Sequence, residues 1–149
     1  VKKQLKSASI KDVPLAIIDG SPGIGCPVIA SLSGVDMVLI VAEPSISGIS
    51  DMGRIIKTAQ MFNTKIGVCI NRYDTNLEST KKIENFCIEK NLFLTGKIPF
   101  DPDAINAINQ GLTIVDIECP SGTAVQKVYT NTVQILFDNK NSNKDTSKK

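Results

Sequence analysis

Asp19 is the residue of this 149-residue chain whose position most clearly suggests chemistry. It follows the apolar run Pro14 to Ile18, which predicts a short buried strand, and it precedes a turn rich in glycine and proline. A carboxylate at such a strand end can orient water around a magnesium ion. The glycines of the turn, among them Gly23, would let a phosphate approach the backbone closely. An aspartate in a Gly/Pro turn is also common where no ligand binds, so both interpretations stay open.

Three further segments place polar or turn-forming residues directly after an apolar run. Asn71 to Asp74 is the first, and the Asn71 amide offers a donor and an acceptor that can match the edge of a base. Pro99 to Asp101 would wall off a base with backbone groups and an apolar surface, although Asp101-Pro102 equally suits a helix start. Glu43 to Ser47 is explained by turn chemistry alone.

The elements that must position these residues alternate along the chain. The expected strands are residues 14–18, 37–42, 65–70 and 92–98. We expect helices to start at Cys26-Pro27, at a Ser50 cap, at a Thr75-x-x-Glu78 capping box, at Asp101-Pro102 and at Ser121. This β-α-β-α-β-α-β-α order predicts an α/β fold with a mostly parallel sheet and helices on both faces. Ligands of such sheets bind outside the carboxyl ends of the strands, which selects the loops at 19–25, 43–50, 71–75 and 99–103.

Apolar spacing predicts which side of each helix faces the sheet. Ile105 and Ile108 should point inward from a short helix that is closed by Gly111. The inner faces of the longer helices are predicted to be Met52, Ile55, Ile56, Ala59 and Phe62, then Ile83, Phe86 and Cys87, and finally Val125, Val128, Tyr129, Thr132 and Leu136.

Composition excludes several classes of protein. The net charge of +2 does not favour a nucleic-acid partner, and no apolar run is long enough for a membrane span. The four cysteines are scattered and histidine is absent, so the chain lacks the ligand spacing of zinc and iron–sulfur sites. Without histidine it also lacks a Ser/His/Asp nucleophile set. Scattered thiols without a signal peptide favour a cytoplasmic protein with reduced cysteines. Residues 1–137 are expected to form one domain and 138–149 a disordered tail.

No phosphate-cradling G-x-x-x-x-G-K-[ST] loop is present in these 149 residues. The nearest fragment, Gly96-Lys97-Ile98, has neither the upstream glycine nor the hydroxyl. The chain also begins with Val1 rather than Met. We therefore expect it to be part of a longer protein and to be unable to complete phosphoryl transfer alone.

The four loops, taken in order, resemble those of the MinD/ParA/Mrp group of P-loop ATPases. The residues that carry the resemblance are Ile18 to Pro27, Val41 to Ser45, Ile70 to Asp74 and Ile98 to Asp101. The likeness covers about residues 13 to 137 and is greatest to MinD-like ATPases with an inserted ferredoxin domain. It implies that the chain is the carboxyl-terminal half of such a protein and so contains only part of a P-loop NTPase domain. A phosphate-binding loop and a ferredoxin part, with its iron–sulfur cluster, would precede Val1.

The resemblance also implies roles for single residues. Asp19 would be the aspartate on the magnesium side, which it would contact through water, and Gly23 the switch glycine whose N–H faces the γ-phosphate. Asn71 would contact the base, with Pro99 and Asp101 in the loop that flanks adenine. The implied cofactors are ATP and magnesium, and the implied partners are the amino-terminal remainder of the protein and a second copy in a homodimer.

Two alternatives remain at this point. Asn71 to Asp74 is also similar to the guanine-reading N-K-x-D pattern of GTPases, with Arg in the place of Lys, so a GTP-specific switch is possible. The chain can also be a stand-alone binding or assembly module with a degenerate nucleotide site.

Overall fold

A computed structural model of the chain describes residues 15–20 and 25–138. Its helices are α1 (Cys26–Leu32), α2 (Ile46–Gln60), α3 (Leu77–Glu89), α4 (Asp103–Asn109) and α5 (Pro120–Asp138). Its strands are β1 (Met37–Ala42), β2 (Lys65–Asn71) and β3 (Phe93–Ile98), and a 3-10 turn covers Tyr73–Thr75. The strands form one parallel sheet in the order β1-β2-β3. The predicted α/β class with a parallel sheet is therefore confirmed.

The central strand β2 is covered on both faces. All five residues from Ile66 to Ile70 are buried, as expected for an interior parallel strand with an apolar run. The register pairs Ala42 with Ile70 on one side and Asn71 with Ile98 on the other. Because the strands are parallel, their carboxyl ends lie at the same edge of the sheet.

Helices α1, α2 and α3 share one apolar core with one face of the sheet. The buried members of this core are Val28, Leu32, Ile40, Ala42, Met52, Ile56, Ala59, Ile66, Val68, Ile70, Ile83 and Cys87. Cys69 is fully buried but lies outside this cluster, because successive strand residues point to opposite faces. Helix α5 covers that second face, where Val128 packs against Gly96 and the Asn131 amide donates to the Thr95 carbonyl at 2.8 Å.

The strand predicted at Pro14 to Ile18 is wrong for the residues that can be compared. Residues 15–20 have no regular secondary structure, and Ile17 is 80% exposed. Pro14 lies outside the described residues. An apolar run becomes a strand only when a neighbouring strand completes its hydrogen bonds, and no strand among the described residues pairs with 15–20. The described sheet therefore has three strands rather than four.

Two predicted helix caps were displaced along the chain. The cap of α2 is Ser45, whose Oγ accepts from the Gly48 N–H at 3.0 Å, and Ser50 lies inside the helix. The cap of α3 is Asn76, whose Oδ1 accepts from the Ser79 N–H at 2.9 Å. The predicted Thr75 cap instead donates its hydroxyl to the Arg72 carbonyl at 2.8 Å. Each helix start offers several side chains that could form the cap. The residue that does so, Ser45 or Asn76, has an extended backbone directly before the helix. The path of the chain after the preceding strand determines which residue takes that place.

The inward face predicted for α4 is also wrong. Ile105 and Ile108 are 58% and 71% exposed, whereas Ala107 is buried. The helix has only seven residues, so the small side chain of Ala107 suffices to seat it. In α5, Val128 is buried as predicted but Tyr129 is 53% exposed, and the helix begins at Pro120, one residue before Ser121.

Candidate functional site

The candidate site is the carboxyl edge of the sheet, where the residues after β1, β2 and β3 meet. Glu43, Arg72 and Pro99 are the residues that directly follow these three strands. Side chains of the three loops contact one another, as the next paragraphs describe. We call this group of loops the strand-end cluster.

Arg72 links the three loops of the strand-end cluster. Its Nη1 lies 3.8 Å from Glu43 Oε1, and its guanidinium carbon lies 5.0 Å from the centre of the Phe100 ring. The backbone of Arg72 is left-handed, with φ 52° and ψ 42°, which turns the chain sharply after β2. Arg72 and Glu43 are each about half exposed, so their ion pair contributes little to stability. Its main effect is to hold the loops after β1 and β2 in position relative to each other.

Asp74 joins the loop after β2 to the loop after β3. Its Oδ1 accepts a hydrogen bond from the Phe100 backbone N–H at 2.7 Å. The turn that carries Asp74 is itself held, since the Thr75 N–H and hydroxyl both donate to the Arg72 carbonyl. The Thr80 hydroxyl donates to the Tyr73 carbonyl at 2.6 Å. The position of the Asp74 carboxylate is therefore determined by several contacts.

Asp101 fixes the far end of the same loop. Its Oδ2 accepts from both the N–H and the hydroxyl of Ser121, at 3.1 and 2.8 Å, and its Oδ1 accepts from the Asp103 N–H at 3.0 Å. These donors, first the Ser121 N–H and then its hydroxyl, lower the pKa of the Asp101 carboxyl against the smaller opposing effect of its burial. The carboxylate also lies at the amino end of α5, where a negative charge is favourable.

A cleft of about 310 Å³ opens between the end of β1 and the start of α2. Ser45 and Ser47 line it, but so do the carboxylates of Glu43 and Asp51. Two carboxylates oppose the binding of a phosphate, so this cleft does not supply an anion site.

The residues predicted from sequence have different surroundings. Asn71 ends the central strand half-buried, and its amide has no hydrogen-bond partner among the described residues; Pro99 is half-buried beside it in the cluster. Asp101 is buried and engaged by Ser121. Asp19 is exposed and has no hydrogen bond or ion pair with Asn71, Pro99 or Asp101, and Gly23 lies outside the described residues.

Sequence reasoning missed the contacts that hold the cluster together. It singled out Arg72 and Asp74 only as part of a motif, and Phe100 only as an apolar wall. Ser121 was assigned to a helix start, because nothing in the local sequence shows that a carboxylate 20 residues earlier accepts its hydrogen bonds. One residue could have suggested such a contact from the sequence. Asp74 is a poor helix or strand former, and it lies between two predicted elements.

The described parts of the chain show neither a metal-binding cluster nor a membrane-spanning helix. Residues 15–20 and 25–138 contain no group of three or more Cys, Asp or Glu side chains that could together hold a metal ion. No helix in the same residues is long and apolar enough to cross a membrane.

The parallel α/β sheet with helices on both faces is an arrangement that solved structures of MinD-type ATPases share. Two of these structures come from Aquifex aeolicus and Pyrococcus furiosus. The MinD cell division protein of Aquifex aeolicus matches 89% of this chain and 57% of its own, at 22% identity and a TM-score of 0.71. The cell division ATPase MinD of Pyrococcus furiosus matches 85% of this chain and 55% of its own, at 20% identity and a TM-score of 0.70. The resemblance to MinD-type ATPases is therefore confirmed at the level of the fold.

Curated relatives of the chain come from Methanocaldococcus jannaschii. The uncharacterized protein MJ0578 is 30% identical over 115 residues, which are 77% of this chain and 38% of that protein. The uncharacterized ATP-binding protein MJ0547 is 29% identical over 133 residues, which are 85% of this chain and 48% of that protein. The chain thus spans less than half the length of these relatives. No protein-family model matches it.

Proposed function

We propose that this chain supplies the switch and base-binding loops of a Mg-ATP site in a MinD-type ATPase. The observation that carries the proposal is the position of Asn71. Its amide ends the central strand with no partner among the described residues, beside loops that Arg72, Asp74 and Phe100 hold together. The name of the relative MJ0547 as an ATP-binding protein supports the same function.

The base would bind at the strand-end cluster. An asparagine amide donates one hydrogen bond and accepts another, which matches the neighbouring acceptor and amino group on an adenine edge. Pro99 and Phe100 would cover the base with apolar surface, and the Asp101–Ser121 hydrogen bonds would keep their loop in place.

The phosphates and the metal would lie toward the turn after Asp19. An exposed carboxylate fits magnesium, which keeps several waters and is often held through one or two carboxylates and the phosphates. Asp19 would act through such a water, and the Gly23 N–H would face the γ-phosphate. Bound magnesium would neutralise charge on the phosphates, and the chain's own residues would contribute positioning.

The rest of the site would come from outside this chain. A lysine-bearing phosphate loop would precede Val1 in the intact protein, so the chain by itself would be inactive. The proposal includes a homodimer with nucleotide near its interface and a cytoplasmic location. An iron–sulfur cluster would belong to the preceding part, and iron analysis of the intact gene product would detect it.

Calorimetry on the intact gene product tests this function. We expect ATP to bind only when magnesium is present. Asn71→Ala should weaken binding roughly tenfold, the effect of losing about one kcal/mol or slightly more of hydrogen bonding. Asp19→Ala should also weaken this magnesium-dependent binding, because it removes a carboxylate that would hold the metal through water.

Two matched variants serve as controls. Asn85→Ala changes an exposed asparagine of α3, and Asp36→Ala changes an exposed aspartate just before β1, at the opposite edge of the sheet. Both should bind ATP like the unmodified protein. If the intact protein binds no nucleotide with magnesium present, the ATPase proposal is wrong and a non-catalytic binding module becomes the better description.

A further inference from the structure

A groove of about 590 Å³ lies between helices α2 and α3, which pack side by side on one face of the sheet. Its apolar lining includes Ile49, Gly53 and Ile56 of α2, which recur at spacings of four and three residues and so form one stripe along the helix. Phe86 of α3 lines the opposite side. The groove follows α2 from Ile49 to Gln60, which is roughly 16 Å at the rise of an α-helix. It is therefore long enough for about three turns of another helix.

Positively charged side chains line both sides of this groove. Arg54 and Lys57 belong to α2, Lys90 directly follows α3, and all three are exposed. Arg54 Nη1 lies 3.8 Å from Asp51 Oδ1, but an exposed pair of this kind is weak. Neither Lys57 nor Lys90 forms an ion pair with a described residue. No carboxylate among the described residues lines the groove, so its cations are not neutralised from within.

We propose that this groove binds an acidic amphipathic helix of a partner protein. The apolar stripe of such a helix would lie against the isoleucine and phenylalanine floor, and carboxylates on both sides of the stripe would face the cations of α2 and α3. The inference goes beyond the proposed nucleotide site and does not depend on it, because the groove lies along the two helices rather than at the strand-end cluster.

Charge decides against the ends of this chain as occupants of the groove. Residues 1–14 contain four lysines and one aspartate, and residues 139–149 contain the same numbers. Each segment therefore has a net charge of 4 − 1 = +3 and would be repelled by the three cations. A nucleic acid or an anionic membrane would attract these cations as well, but neither offers a narrow apolar stripe that fits between two helices. The complementary occupant is a helix that is both acidic and apolar on one side.

Gly53 keeps the middle of the groove open. A Cβ at this position would meet nothing within 4 Å, so the space above it is free for a side chain of the partner. A larger residue at this position would occupy that space without changing the charge of the groove. Shape and charge can therefore be tested separately.

Fluorescence anisotropy with the intact gene product tests the proposal. The probe is a fluorescein-labelled helical peptide of about 16 residues, with leucines on one stripe and glutamates on both sides of it. The control peptide has the same composition in scrambled order. We expect the amphipathic peptide to bind roughly tenfold more tightly, because it alone offers the stripe together with its flanking carboxylates. Equal affinity of the two peptides overturns the proposal.

Charge reversal and filling of the groove provide two independent variants. Lys57→Glu combined with Lys90→Glu should weaken binding of the amphipathic peptide roughly tenfold. Gly53→Leu should also weaken it, although the charge stays the same. Lys81→Glu combined with Lys127→Glu reverses two exposed charges outside the groove and should leave the affinity unchanged. If the first double variant, folded by circular dichroism, binds the peptide like the unmodified protein, the groove is not the binding surface and the proposal is wrong.

Other occupants are distinguished in the same experiments. If duplex DNA or phosphatidylserine vesicles displace the labelled peptide at lower concentration than the unlabelled peptide does, the surface is a general anion binder and the proposal fails. If Lys57→Glu with Lys90→Glu reduces self-association in sedimentation, the occupant is a second copy of the chain instead of a partner protein. Binding of ATP should be the same in all groove variants, so a failure of the nucleotide proposal leaves this inference standing.

Discussion

Ser121 donates two hydrogen bonds to the same oxygen of Asp101, from its backbone N–H at 3.1 Å and from its hydroxyl at 2.8 Å. The pair joins the loop after β3 to the first turn of α5, and both residues are buried. An orphan N–H at the amino end of a helix is thus satisfied by a carboxylate from another element. The loop that is proposed to cover the base is therefore anchored by the same interaction that starts the last helix.

Asp101→Ala should lower the melting temperature by several degrees. The substitution removes the acceptor of three hydrogen bonds and leaves the buried Ser121 N–H without its acceptor, while the Ser121 hydroxyl keeps only its 3.4 Å contact with the Cys119 thiol. Asp101→Asn keeps one oxygen as an acceptor, so its melting temperature should lie between those of the unmodified protein and Asp101→Ala. Thermal unfolding followed by circular dichroism measures the effect. Asp103→Ala is the control, and equal melting temperatures for the two alanine variants would contradict the prediction.

The Asp101 contribution should depend on pH in the acidic range. Because the folded protein holds the pKa of this carboxyl below its ordinary 3.8, the carboxylate stabilises the folded state fully above that value. The contribution is lost as the pH falls through the folded pKa. In urea unfolding, the free-energy difference between the unmodified protein and Asp101→Asn should shrink as the pH is lowered below about 4. If this free-energy difference stays constant with pH, the charge of the Asp101 carboxylate does not contribute to stability.

Gly122→Ala should destabilise the protein, whereas Gly53→Ala should not. A Cβ at Gly122 would lie 2.4 Å from the Ile114 carbonyl oxygen, which is backbone and cannot move freely, so a cost of about 1–3 kcal/mol is expected. A Cβ at Gly53, inside α2, meets nothing within 4 Å, and alanine there should add about 0.5–1 kcal/mol of stability. Urea unfolding of both variants decides this. Equal stabilities would mean that the Ile114 loop shifts readily.

Cys69 should react with iodoacetamide only after unfolding. Burial raises the pKa of its thiol to about 11, so very little reactive thiolate forms in the folded protein near neutral pH. Mass spectrometry of tryptic peptides after labelling with and without urea measures the protection. Labelling of native Cys69 at the rate of a free thiol would show that the sheet opens there.

Val41→Lys should reduce self-association of the chain. Val41 is 60% exposed on β1, and among the described residues β1 pairs only with β2, which leaves its other edge open. Open apolar edges favour association, and a lysine there opposes it. Sedimentation at increasing concentration should show less oligomer for Val41→Lys, while Ile88→Lys, at an exposed residue of α3, should match the unmodified chain. A monomer at all concentrations for the unmodified chain would contradict the prediction.

Continuous apolar runs predicted the three described strands closely. Met37–Ala42 was matched to the residue and Lys65–Ile70 to within one. The burial expected from an apolar run holds for the interior strand β2, whereas β1 lies at an edge of the described sheet with Val41 60% exposed. The run before Asp19 looked the same in sequence but has no regular structure at 15–20, since a strand also needs a neighbour. Helix starts were displaced where several Ser, Thr or Asn side chains competed for the cap.

The sequence by itself determined the alternation of elements, the parallel sheet and the edge at which polar residues collect, because periodicity and turn chemistry are local properties. It also identified Asn71 and Asp101 as residues of interest. Only the tertiary structure decided what they contact. Asp101 is bonded to Ser121 and Asp74 to Phe100, residues 20 and 26 positions apart, and such pairs follow from how the parallel strands bring distant loops together. The direction of a side chain at a strand end depends on its neighbours in space, which the local sequence does not encode.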